Sequence, residues 1–221
     1  MDHDREPRQT RQASLSVVPM EFVRAVTSRR MTRSFSTEPV PREVILSLID
    51  LGSRAPSAGK TQGWSVLVLE GADVATYWDL TLPASKRDNF AWPHLLDAPV
   101  ILLPFANPLA YVERYGEADK KRTGLGAGVE AWQTPYWTID ASFAVMTMLL
   151  AAQDAELGSL FFAVFNGATE VREHFGVPSE LELLGAIALG WPHKGSQALR
   201  SGRSAARRRK DPIDIAHFGR W

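Results

Sequence analysis

The chain contains no cysteine among its 221 residues. That excludes disulfides, thiolate metal sites and a cysteine nucleophile, and it fits a reducing, cytoplasmic compartment. Charge of one sign is lacking too: 25 basic and 25 acidic residues give a formal net charge of zero. No overall field therefore favours nucleic acid or a membrane surface. The five histidines (His3, His94, His174, His193, His217) are scattered, without the helical spacing of a metal site. The N-terminus lacks the apolar core of a signal peptide. The one long apolar stretch, 136–160, carries Asp140, Gln153, Asp154 and Glu156. A charge at a bilayer centre costs about 2.5–3.5 kcal/mol, so a buried core helix is expected there. Hydrolase and nucleotide signatures are missing as well. There is no Gly-x-Ser-x-Gly elbow. Gly59-Lys60-Thr61 fails as a phosphate loop because Arg54 stands where the first glycine belongs, and Gly124-x-Gly126 fails as a dinucleotide fingerprint because Val129 replaces the third.

What is present is enough for one sizeable core, with 45% hydrophobic residues. The length suits a single domain over 19–221, preceded by a polar arm, 1–18, expected to be disordered. Apolar periodicity predicts helices over 20–30, 41–54, 73–80, 86–96, 108–121 and 136–156, and a short one ending near Gly176 that Asn166 or Thr169 would cap. Strands are expected at 64–70, 99–106, 159–165 and 183–190. The continuous apolar run 99–106 reads as a central strand buried on both faces, although Pro104 removes a ladder donor. Beyond Trp191 the chain turns loop-like and basic and ends in an apolar tail.

Two segments stand out. Residues 29–35 read RRMTRSF, and residues 54–64 read RAPSAGKTQGW. Arginines at a helix C-terminus complement its dipole for about 0.3–1 kcal/mol each, which accounts for one or two of Arg29, Arg30 and Arg33. Alternatively they bind an anion or carbonyl, with charge-assisted bonds of about 1.5–3 kcal/mol. Both readings stand on the sequence alone. The basic run 194–210 holds seven cations and no acid. It reads as a solvated loop, since a nucleic-acid tail would want interleaved aromatics. Phe90, Trp132 and Trp137 are either core residues or the wall of a pocket.

Taken together, these segments resemble the FMN-dependent nitroreductase family: RRMTRSF its arginine-rich flavin segment, and RAPSAGKTQGW its Ala-Pro-Ser-x-x-Asn-x-Gln-Pro-Trp turn. LLDAPVILLPFA resembles its central strand, IDASFAVMTMLLAAQDAELGSLFFAVF its core helix and next strand, and LLGAIALGWP and RRRKDPIDIAHFGRW its closing strand and tail. The resemblance implies an α+β fold, a mixed β-sheet flanked by helices, in an intertwined homodimer whose C-terminal tail reaches the partner subunit. It further implies FMN at the dimer interface. Arg29, Arg30, Met31 and Arg33 would meet its phosphate, ribityl and pyrimidine edge. Pro56, Ser57, Ala58, Gly59 and Lys60 would reach the other subunit's flavin. Ala163, Val164 and Phe165 would lie against the ring, and Arg207 and Arg209 would close over the phosphate.

Where the family usually has asparagine and proline, this chain has Lys60 and Gly63. Ala91 and His94 stand where some members carry an asparagine and a lysine on the flavin. The resemblance implies NAD(P)H as electron donor and a small-molecule acceptor (nitroaromatic, quinone or similar), exchanged through one pocket in ping-pong fashion. Arg33, assisted by His94 or Lys60, would stabilise the reduced flavin, and 108–128 would form a lid. The flavin would carry the chemistry, so no residue is assigned as catalytic in itself. Other chemistry hosted on this fold, a dehalogenase or a flavin-fragmenting enzyme, and a flavin-holding sensor remain alternatives, as does a basic-tailed nucleic-acid binder.

Overall fold

The computed structural model describes residues 20–193 and 207–221. The predicted arm 1–18 and most of the basic run 194–210 therefore lie outside the described residues.

The element order is α1 (Phe22–Ser28), α2 (Arg42–Ser53), β1 (Trp64–Glu70), α3 (Ala72–Thr81), α4 (Ala84–Arg87), β2 (Val100–Ala106), α5 (Pro108–Gly116), α6 (Tyr136–Asp154), β3 (Gly158–Phe162), α7 (Ala168–His174), β4 (Glu182–Leu183) and β5 (Ala186–Gly190). The strands form one sheet in the order β1-β2-β5-β3, with β4 pairing the end of β2, and every ladder is antiparallel. A single parallel bridge, Met31 to Ser159, brings the arginine-rich segment alongside β3.

β2 is buried along its whole length, as its unbroken apolar run predicts. Its side chains alternate between two cores, as the period of two requires. Ile101, Leu103 and Phe105 join Ala186 and Ala188 of β5 against α3 and α7. Val100 and Leu102 join Ile187 and Leu189 against α2 and α6. The sheet is thus sandwiched between two helical layers.

Pro104 is tolerated for a visible reason. Its carbonyl accepts the Leu184 N–H at 3.0 Å, so its missing donor points to the same side. On that side β2 changes partner, from Ile187 opposite Leu102 to Leu183 opposite Phe105. Three steps along β2 face four along its partners, a bulge where no donor is required.

Several boundaries differ from expectation. The helix expected over 86–96 is only α4 and a 3₁₀ turn at Pro93–Leu95; Pro93 interrupts the helical ladder. α5 stops at Gly116 and does not reach 121. β3 ends at Phe162, before 165. Neither Asn166 nor Thr169 caps α7. Gly167 holds that position with φ +71°, and a Cβ there would lie 2.2 Å from the Leu80 carbonyl oxygen. The close approach of α7 to α3 selects glycine and displaces the cap.

Candidate active site

A cavity of about 460 Å³ opens beside the end of β3. Residues 163–166, immediately after that strand, form one wall. Tyr77, Trp78 and Thr81 of α3, with Leu82 just after it, form another, and Phe90, Trp92 and Leu95 a third. Arg33 is the one charged residue among the described lining. The cavity therefore brings Ala163, Val164 and Phe165 together with Arg33, residues 130 positions apart in sequence. Phe165 is 88% exposed, a large aromatic ring with little to cover it within one chain. Phe90 lines the cavity. Trp132 and Trp137 do not; they pack with Tyr111 in an aromatic cluster elsewhere.

The three arginines divide between the two readings open on sequence. Arg30 takes the helix-end role: its Nη1 donates to the Thr27 and Arg29 carbonyls at 2.7 and 2.8 Å. Arg29 has Nε and Nη1 buried with no acceptor among the described residues. An unsatisfied buried donor costs about 1–3 kcal/mol, more when charged, so this guanidinium is set for an anion. Arg33 donates to the Met31 carbonyl at 3.2 Å, and its guanidinium sits 5.3 Å from the Trp92 ring centroid. The segment is stitched in place by main chain. Thr32 N–H donates to the Ser159 carbonyl, Phe35 N–H to His94, Ser36 N–H to Trp191, and His193 N–H to Ser34. His94 thus acts through its backbone, while its ring bonds Asp97 at 2.8 Å and stacks on His193.

The second segment lies apart from that cavity. Residues 57–62 form a tight turn with Gly59, Lys60 and Gln62 all at positive φ, +62°, +55° and +54°. For Lys60 and Gln62 this costs about 1–3 kcal/mol each. The turn is held by Lys60 N–H to the Ser57 carbonyl and Gln62 N–H to Ser57 Oγ. Two further bonds come from helices behind it. Ala58 N–H donates to Asp140 Oδ2 at 2.7 Å, and Arg114 Nε donates to the Gly59 carbonyl at 2.9 Å. Asp140 is buried on α6 and also accepts the Tyr111 hydroxyl at 2.7 Å. Burial first, and then Asp140, push the Tyr111 phenol well above its ordinary range, so it stays a donor. Within one chain, Pro56, Ser57, Ala58, Gly59 and Lys60 line no part of the cavity holding Arg33.

Arg207 and Arg209 are exposed and do not line the cavity either. Arg208 between them pairs with Asp211 at 2.9 Å. The tail beyond leaves Ile213, Ile215, Phe218 and Trp221 exposed, and α1 and α6 leave Phe22, Val23, Phe143 and Met146 uncovered. Among the described residues no helix is long and apolar enough to cross a membrane, and no three potential ligands cluster around a metal position.

Sequence reasoning missed Tyr77, Trp78, Trp92 and Asp140. Only Asp140 left a signal, as a carboxylate inside an otherwise apolar helix. The arrangement as a whole suits a planar ligand with an anionic group: aromatic walls, one cation at the cavity and, four residues before it in sequence, a guanidinium with two buried nitrogens that have no acceptor among the described residues.

Comparison with known proteins agrees. The family model "Nitroreductase family" matches residues 26–191. Rat iodotyrosine deiodinase 1 is 27% identical over 214 residues, 88% of this chain and 68% of that protein. An NADH dehydrogenase of Thermus thermophilus is 29% identical over 188 residues, 76% and 85% of the two chains. The crystal structure of a nitroreductase from Desulfovibrio desulfuricans in complex with FMN superposes with a TM-score of 0.61 at 22% identity, covering 88% and 94% of the chains. At that identity the likeness is one of fold.

Proposed function

The chain belongs to the nitroreductase family, and from that premise we propose that it is an FMN-dependent oxidoreductase. It takes reducing equivalents from NAD(P)H and passes them to nitroaromatic, quinone or similar electrophilic acceptors. The observation that carries this reading is the aromatic cavity that joins Arg33 to the strip 163–165.

FMN, when bound, supplies hydride acceptance and donation at its N5 atom. The chain supplies the rest. Arg29, with its buried unpartnered nitrogens, holds the phosphate or ribityl end. Arg33, steadied by Trp92, presents a fixed cation to the pyrimidine edge, where negative charge develops on reduction. Ala163, Val164 and Phe165 lie along the ring. Trp78, Phe90 and Trp92 exclude water from the reacting face.

Pro56, Ser57, Ala58, Gly59 and Lys60 serve the same flavin from a second copy of the chain. Their absence from the cavity's lining within one copy, and the uncovered apolar residues of α1, α6 and the tail, support a homodimer in which Arg207 and Arg209 also reach across. An uncovered apolar surface of that kind favours association.

One pocket for both substrates predicts parallel double-reciprocal plots when initial rates are measured against NADH or NADPH at several acceptor concentrations. Intersecting lines would mean that donor and acceptor bind together, which one pocket forbids. The likeness to rat iodotyrosine deiodinase 1 favours a second reading, reductive dehalogenation. Iodide release from iodotyrosine under reducing conditions separates the two.

A further inference from the structure

The turn at 57–62 could close on its own bonds, from Lys60 N–H and Gln62 N–H to Ser57. Asp140 adds something different. It ties Ala58 to the N-terminal part of the core helix α6. The tie is unusual in kind. Asp140 is only 4% exposed and sits among Ala106, Tyr111, Trp137 and Ala141, where an apolar side chain would pack without the expense of desolvating a carboxylate. Its Oδ2 accepts two donors, the Ala58 amide and the Tyr111 hydroxyl, each at 2.7 Å. Tyr111 is fully buried on α5, so the pair joins α5, α6 and the turn at one oxygen. Arg114, one turn further along α5, grips the adjacent Gly59 carbonyl and is itself fixed by Asp119 at 2.7 and 2.9 Å. A strained turn clamped from behind by two helices is a preorganised binding element.

We infer that Asp140 and Tyr111 are positioning residues of the cofactor site, holding the turn at 57–62 in its binding geometry before FMN arrives. This rests on the reading above that the turn meets FMN. Neither residue touches the cofactor. Both act through Ala58.

The test is FMN titration of the intact apo-protein, followed by quenching of flavin fluorescence, for the wild type, Tyr111→Phe, Asp140→Asn and Asp140→Ala. Tyr111→Phe keeps the ring and its packing, so it stays informative if Asp140→Ala does not fold. The expected order of weakening is Asp140→Ala, by about tenfold or more, then Tyr111→Phe and Asp140→Asn by a few fold, in line with losing a charge-assisted bond or weakening it. The absorption maximum and midpoint potential of the bound flavin shift in the same order, and the Asn variant partly rescues the Ala variant. A merely structural role would lower the melting temperature of the apo-protein and leave affinity, spectrum and potential of the folded fraction at wild-type values. That result overturns the inference alone. A wild type that takes up no FMN overturns the functional reading and this inference with it.

Discussion

The two segments that stand out in the sequence are built in opposite ways. Residues 29–36 are stitched by their backbone to β3, to His94 and to the residues after β5, and two of their arginines keep few side-chain ties: Arg29 Nε and Nη1 have no acceptor among the described residues, and Arg33 lines the cavity. Residues 57–62 are held by the side chains of Asp140 and Arg114 from outside and by Ser57 within the turn, and their backbone is the strained part. The first segment presents charges from a relaxed frame. The second presents a preset backbone from a strained one. Only the first meets the cavity within its own chain.

The sharpest way to break this contrast is to remove the free charges. Arg29→Ala together with Arg33→Ala is expected to weaken FMN binding about 100-fold or more, at about 1.5–3 kcal/mol per charged bond, with little change in the thermal midpoint of the apo-protein. A large loss of apo stability would make these arginines structural instead. Removing 207–221 comes next. If the exposed Ile213, Ile215, Phe218 and Trp221 cover a partner, sedimentation should show dimer dissociation at concentrations where the full chain is dimeric. An unchanged dimer would leave the tail without that role.

Gly59→Val probes the strained backbone. A side chain at φ +62° costs about 1–2 kcal/mol, and its Cβ would meet Tyr115 at 3.0 Å. Urea denaturation should show that loss, and FMN affinity should fall several-fold. Equal stability would mean that the turn relaxes freely.

The smallest effect concerns the clamp's outer end. Arg114 holds the Asp119 carboxyl below its usual value, chiefly through their hydrogen bond. The pair's contribution is therefore present above the ordinary value of 3.8 and lost as pH falls through the lower folded one. Because the pair is solvent-exposed, NMR titration of Asp119 is a better readout than stability.

Legibility followed the same division. β1 matched its expected bounds, and β2 and α6 came within a residue or two, because unbroken or strongly periodic apolar runs identify themselves. Arg33 and 163–165 were legible through motif order and proved to be neighbours in space. The walls from α3 were not. The sequence predicts a helix over 73–80, and nothing local says that Tyr77 and Trp78 close a cavity. The helix expected over 86–96 stops at Arg87, and the one expected over 108–121 at Gly116. The first break frees the segment around Trp92 to form a wall of the cavity. Asp140 was visible as an intruding charge, but its partners Ala58 and Tyr111 are 82 and 29 residues away, a pairing only the fold reveals.

The most direct test of the central claim is the visible absorption spectrum of the protein after incubation with FMN and removal of the unbound fraction, followed by anaerobic addition of NADH and then NADPH. Retained flavin bands, displaced from those of free FMN and bleached by at least one donor, are the predicted result. A colourless protein that retains no FMN would contradict the account at its root.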